Sequence, residues 1–232
     1  MSNEPLLRVE GLSRRFGGVR ALDDLSFDLA EGEKLAVIGP NGAGKSTLLR
    51  LVAGQDRPSA GRIALRDAGD VQGRTAHRLT RSGVALARQV PRPLATLTVA
   101  ENVLLGMEIV KGGLIDHAAQ IERTAELSRR FSLKVDPTER VGLLSVGIEQ
   151  RIEILKVLAR GARTIILDEP TAVLTPQESR DLFETLRGFV AQGMTVLFIS
   201  HHLEEVMAVS DTVTVLRHGR EVATKPTAEL TK

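Results

Sequence analysis

The stretch Gly39-Pro40-Asn41-Gly42-Ala43-Gly44-Lys45-Ser46-Thr47 restricts the fold more than any other part of the chain. It follows the apolar run Leu35-Ala36-Val37-Ile38 and leads into Leu48-Leu49-Arg50-Leu51-Val52-Ala53, a segment of helical character. A buried strand, a glycine-rich loop and a helix in that order make a phosphate-binding loop. A left-handed backbone costs a residue with a Cβ roughly 1–2 kcal/mol, so Gly42 and Gly44 let the loop curl where other residues resist. The curl points backbone N–H groups inward as an anion nest, and the helix N-terminus adds its dipole. Lys45 has the reach for β- and γ-phosphates, and the Ser46 hydroxyl is placed to ligate Mg²⁺. An incidental glycine-rich turn explains Gly39, Gly44, Lys45 and Ser46 poorly as a set. The stretch implies binding of a nucleoside triphosphate.

Hydrophobic patterning splits the rest into two kinds of sheet and a helical middle. Residues 6–11 and 22–29 read as strands, and Leu25, Phe27 and Leu29 alternate with Ser26 and Asp28 as in a half-exposed antiparallel sheet. Arg62-Ile63-Ala64-Leu65 reads the same way. Leu35–Ile38, Thr164–Leu167 and Thr195–Ile199 are continuous apolar runs, as in parallel strands covered on both faces. Thr98-Val99-Ala100-Glu101 is a capping box that predicts a helix through about Val110. Asp116 caps a second helix to about Phe131, and a third runs from about Val146 to Ala159. Thr175-Pro176-Gln177-Glu178 sets an N-cap, a proline at N1 and a glutamate at N3, with Gly193 closing that helix. Lys111-Gly112-Gly113 reads as a flexible break.

Composition removes several function classes. With 42% hydrophobic and 26% charged residues over 232 positions, the class is soluble globular. A formal net charge of +2, without a dense Lys/Arg block, argues against a nucleic-acid partner. The absence of cysteine excludes disulfides, zinc-thiolate sites and thiol catalysis, and fits a reducing compartment. Met1–Pro5 lacks a signal-peptide pattern, and no apolar run approaches the ~20 residues of a membrane helix. Work at a membrane is therefore expected to go through partners.

Asp168 and Glu169 close the apolar run Thr164–Leu167. An acid ending a buried strand beside a phosphate loop holds Mg²⁺, which fits Asp168. Glu169 is then placed to polarise an attacking water. The alternative is a pair of acids that merely ends a core strand before Pro170.

With Leu144-Ser145-Val146-Gly147-Ile148-Glu149-Gln150-Arg151, the ordered set resembles the ABC-type ATPases, whose signature is LSGGQ. Gln89 between the phosphate loop and this stretch, and Asp168-Glu169 and His201 after it, stand in family order, and the resemblance spans about Leu6 to about Val222. It implies an α/β phosphate-loop NTPase with a parallel core sheet, an antiparallel β subdomain and a helical subdomain. One such domain is expected over 5–232, its helical subdomain at approximately 92–160. Two domains would close head to tail on two ATPs, so that Ser145 and the Gly147 N–H meet the γ-phosphate held by the other subunit. Val146 and Ile148 depart from the usual Gly and Gln. By the same resemblance Gln89 touches Mg²⁺ or the lytic water, and His201 senses the γ-phosphate. Phe16 stacks on adenine with Val19 beside it, although a core phenylalanine is the competing reading. Thr175 stands where many relatives carry Asp, and it also suits an N-cap. His202 is expected to start a helix with its ring diverging from that of His201. His77, His117 and His218 are expected at the surface.

The resemblance also implies an ATPase subunit of a transporter at the cytoplasmic face of the cell membrane, with permease subunits, a second cassette and, indirectly, a solute-binding protein. A soluble non-transport ABC ATPase is the alternative of another class, and a phosphate-loop kinase leaves Glu169 and His201 unexplained. Arg15–Leu22, Gln89–Pro93 and Leu97–Val103 resemble branched-chain amino-acid importers, which is the expected solute class. Leu144–Gly147 and Asp168–Pro176 instead resemble sugar and nucleoside importers.

Overall fold

A computed structural model describes residues 4–87 and 93–230. Strands β1 (Leu7–Phe16) and β2 (Val19–Leu29) pair antiparallel around Gly17-Gly18, with Phe16 opposite Val19 and Leu7 opposite Leu29. Both outrun the expected 6–11 and 22–29, because cross-strand pairing carries the ladder past the end of the apolar alternation. β3 (Lys34–Ile38) runs through the glycine loop into α1 (Lys45–Val52). β4 (Ala60–Leu65) and β5 (Gly69–Asp70) complete a four-stranded antiparallel sheet in the order β2-β1-β4-β5. α2 (Ala76–Arg81) then leads into β6 (Val84–Ala87).

The middle holds α3 (Val99–Val103), a small hairpin of β7 (Val110–Lys111) and β8 (Leu114–Ile115), α4 (His117–Arg130) and α5 (Val146–Ala159). Thr98 caps α3 through the expected capping box, but the helix stops at Val103 rather than near Val110. Left-handed Gly106 (φ 76°) follows that end, and Lys111-Gly112-Gly113 is the hairpin turn rather than a flexible break. Gly112 (φ 62°) and Gly113 (φ 83°) supply the two left-handed residues that a tight hairpin needs. Asp116 caps α4 by accepting the Ala119 N–H at 2.9 Å, as expected.

The chain then alternates β9 (Thr164–Asp168), α6 (Pro176–Ala191), β10 (Thr195–Ile199), α7 (Leu203–Val209), β11 (Thr212–Arg217) and β12 (Arg220–Pro226). Thr175 is the N-cap of α6, Pro176 stands at N1 and Glu178 at N3, as expected, and Thr175 and Glu178 form a capping box. The larger sheet has the order β12-β11-β3-β10-β9-β6, parallel except for β12. β10 thus lies between the strand that feeds the glycine loop and the strand that ends in Asp168.

Successive side chains of one strand point to opposite faces, and here they enter two separate cores. Ala36, Ile165, Leu167, Val196 and Phe198 pack with α3, α4, α5 and α6. Leu35, Val37, Ile166, Leu197 and Ile199 pack with α1 and the antiparallel sheet. That double burial is why these runs are continuously apolar.

Candidate nucleotide site

The glycine loop is wedged between β2 and the β11–β12 turn. Asp23 N–H donates to Gly219 O at 2.9 Å, and Gly219 N–H donates to Ala43 O at 3.0 Å. Gly44, at the N-cap of α1, has φ 104°, and a Cβ there would lie 2.5 Å from Ala21 O. Pro40, Asn41 and Gly42 form the exposed rim, Ala43 is buried beneath, and Ser46 and Thr47 sit half-buried in the first turn of α1. Lys45 is only 6% exposed; its Nζ donates to Gly39 O at 2.8 Å and to Pro40 O at 3.1 Å. The ammonium is therefore already drawn back over the loop.

Asp168 ends β9 in register with Ile199 of β10. Burial, followed by the neighbouring Glu169 charge, pushes its carboxyl above the ordinary range, against opposing pulls from Arg50, Lys45 and the Ser46 hydroxyl. The Asp168 carboxylate and Ser46 hydroxyl are hard oxygen donors of the kind Mg²⁺ takes from proteins in pairs, completing its shell with water and phosphate oxygens. Among the described residues, no group of three or more His, Cys, Asp or Glu builds an all-protein cage. The residues present fit a Mg²⁺–phosphate complex on this criterion.

Glu169 carries a left-handed backbone (φ 44°), which is costly outside glycine, and donates its N–H to Ile199 O at 3.1 Å. His201 Nδ1 lies 3.3 Å from Glu169 Oε1, so the structure brings this predicted pair together. His202 occupies the N-cap position of α7, as expected. Its ring does not diverge from that of His201: the centroids are 4.0 Å apart and tilted by 40°. The pair lies in the turn before α7, where strand and helix alternation does not separate neighbours. His77, His117 and His218 are exposed. Gln89 lies outside the described residues.

Phe16 and Val19 face each other at the tip of the β1–β2 hairpin and are 46% and 67% exposed. That exposure rejects the core alternative for Phe16, which Phe27 (7%) illustrates. Arg14 lies over the Phe16 ring at 4.5 Å from the centroid.

Ser145 is the N-cap residue of α5, but its side chain makes no capping bond to that helix. The carboxyl of Glu178 is held low first by the Thr175 N–H, then by the Thr175 hydroxyl, and more weakly by the Ser145 hydroxyl. A Cβ on Gly147 would collide with Glu178 Oε1, so that carboxylate is pressed against the helix start. The sequence marks Glu178 only as a cap residue; its approach to Ser145-Val146-Gly147 depends on how α5 meets α6. Glu205 is likewise invisible as a motif. It accepts hydroxyl hydrogen bonds from Thr171 at 2.8 Å and Ser200 at 2.9 Å, one from each loop flanking the Glu169–His201 pair.

A family model described as "ABC transporter" matches residues 22–172. The chain is similar to the ribose import ATP-binding protein RbsA 3 of Rubrobacter xylanophilus, with 43% identity over 228 residues, 98% of this chain and 46% of that protein. It is 37% identical over 225 residues to the nucleoside import ATP-binding protein NupA of Lactococcus lactis subsp. cremoris, covering 97% of this chain and 44% of that protein. The chain thus spans less than half the length of these curated relatives. A nucleotide-free ATP-binding cassette from an ABC transporter superposes with a TM-score of 0.83 at 28% identity, covering 95% of this chain and 91% of the other. An ADP-bound cassette of an ABC transporter matches with the same score, identity and coverage.

Proposed function

Because the chain belongs to the ABC transporter family, we propose that it is the ATP-hydrolysing cassette of an importer. Its fold is the ABC ATPase fold, with a parallel core sheet and an antiparallel sheet. The reading treats 5–232 as one such domain with the helical subdomain at about 92–160. The observation that carries it is the 3.3 Å approach of His201 to Glu169 at the end of β9, beside the Asp168 carboxylate and the glycine loop.

In this reading Phe16 offers its exposed face to the adenine, with Val19 at the edge; a flat ring suits any base. The N–H groups of residues 39–47 cradle the phosphates, and Lys45 leaves the carbonyls of Gly39 and Pro40 for phosphate oxygens. Ser46 and Asp168 would hold Mg²⁺, and Gln89 is the further ligand that the family resemblance implies. When bound there, the cation would supply charge neutralisation to the phosphates. Glu169 accepts a proton from the attacking water, and His201 steadies the γ-phosphate and reports its loss. Ser145 and the Gly147 N–H complete the site of a second cassette, at the start of a helix whose dipole favours an anion.

The solute reading changes. The relatives described above are named for ribose and nucleoside import, which supports a sugar or nucleoside rather than the amino acid suggested by Arg15–Leu22 and Gln89–Pro93. The signature and the loop after Glu169 already leaned that way. Among the described residues no helix is long and apolar enough to cross a membrane. We place the chain at the cytoplasmic face of the membrane, docked on permease subunits, with a solute-binding protein as an indirect partner.

The deciding experiment compares wild type with Glu169→Gln for Mg-ATP turnover and ATP-dependent dimerisation. Wild type should hydrolyse ATP slowly; the variant should bind ATP, lose turnover and accumulate as a dimer. Tight binding with neither dimer nor turnover would show that this chain alone does not form competent composite sites. Reconstituted with its permease, turnover should rise with a sugar- or nucleoside-loaded binding protein and not with leucine.

A further inference from the structure

Glu205 stands on the first turn of α7, four residues after His201 and outside every motif used above. Its Oε2 accepts both the Thr171 hydroxyl (2.8 Å) and the Ser200 hydroxyl (2.9 Å). Thr171 and Ser200 are 6% and 2% exposed, so water competes little for either bond. The Ser200 oxygen also accepts the His202 N–H at 3.0 Å. These directions are forced, because a hydroxyl has one proton and an ionised carboxylate only accepts. Glu205 thus joins Thr171, two residues along the backbone from Glu169, to Ser200, the residue before His201, and the 3.3 Å approach of His201 to Glu169 closes the loop. An acid placed only to offset the dipole of α7 needs no partners in two separate loops.

We propose that Glu205 is a positioning residue that ties the loop after β9 to the loop after β10 and so fixes the geometry of the Glu169–His201 pair. The proposal rests on the roles given to those two residues under Proposed function. Glu205 touches no reacting atom. It acts on turnover through the two hydroxyls it holds.

The test uses the full chain with Glu205→Ala, Glu205→Gln and Thr171→Val, alone and combined with Glu205→Ala. A misplacement near 1 Å costs catalysis roughly 100-fold, so Glu205→Ala should lower turnover by about 10- to 100-fold while affinity for a fluorescent ATP analogue stays within about twofold. Glu205→Gln should recover most of that loss, because its amide oxygen keeps two lone pairs for both hydroxyls. Thr171→Val should add nothing in the Glu205→Ala background, the sign of a shared path. Turnover of Glu205→Ala within about threefold of wild type would overturn the proposal on the same scale. So would a parallel fall in ATP affinity and turnover, or a Glu205→Gln variant as impaired as the alanine. If wild type itself binds ATP without turnover, this chain alone does not form competent composite sites and the kinetic arms give way to a structural one. A crystal structure of Glu205→Ala then decides: a widened Glu169–His201 gap supports the tie, and an unchanged gap refutes it.

Discussion

Replacing Gly44 with alanine should destabilise the chain clearly more than the same change at Gly42, although both residues have positive φ. The backbone penalty is common to the pair: φ is 104° at Gly44 and 78° at Gly42, and the left-handed region costs an alanine roughly 1–2 kcal/mol. Their surroundings differ. A Cβ at Gly42 meets nothing within 4 Å, whereas at Gly44 it would lie 2.5 Å from Ala21 O and 2.7 Å from Leu22 Cδ2. Ala21 O is strand backbone and Leu22 is fully buried, so neither can give way cheaply. Overpacking of this kind costs about 1–3 kcal/mol, which puts Gly44→Ala at about 2–5 kcal/mol in all. For a chain of this size each kcal/mol shifts Tm by about 2–4 °C. Urea unfolding without nucleotide, followed by circular dichroism at matched m-values, measures the difference directly. Equal destabilisation of the two variants, or a larger effect at Gly42, would refute the packing of the loop against β2.

Other outcomes follow from the same geometry. Phe16→Ala should weaken ATP and GTP binding alike by about 5- to 150-fold, the worth of one base–aromatic stack of about 1–3 kcal/mol, as measured by titration calorimetry. Gly147→Ala should push the Glu178 carboxylate off the start of α5; ATP binding to the single chain is expected to persist while ATP-dependent dimerisation of the Glu169→Gln background weakens in analytical ultracentrifugation. Asp23 bridges Arg20 (2.7 Å) and Arg220 (2.6 Å), and these hydrogen bonds, Arg20 first, hold its carboxyl below the usual range. A lowered folded-state pKa gives stability that is present above the unfolded value near 4 and is lost as pH falls further. Asp23→Asn should therefore be less stable than wild type at pH 7, with the deficit shrinking below about pH 4 in thermal melts.

What could be read in advance was set by short-range physics. The glycine loop, the three doubly buried strands and the caps at Thr98, Asp116 and Thr175 each depend on residues adjacent in the chain, and each formed where expected. The end of α3 did not, because a capping box announces where a helix starts and says little about its length. Gly106 and the Gly112-Gly113 turn were the available signals for that end. The tilt of the His201 and His202 rings depends on a turn whose shape no periodicity encodes. Glu178 and Glu205 were legible only as polar residues on helix starts. Their partners, Ser145 and Gly147 for one, Thr171 and Ser200 for the other, come from elements that meet only once the sheet and helices are assembled.

The strands that feed two cores have a consequence for how such a chain can diverge. Ile165 and Ile166 are neighbours in sequence, yet they answer to different packing problems, one among the helices that carry Ser145 and the other beneath the glycine loop. A volume change at Ile165 is met first by the helices around it, and one at Ile166 by α1 and the antiparallel sheet. The half that presents the signature helix is thereby free to be reshaped by successive substitutions, while the half that holds the phosphate loop keeps its fit. One sheet serves as a boundary between two independently adjustable inheritances.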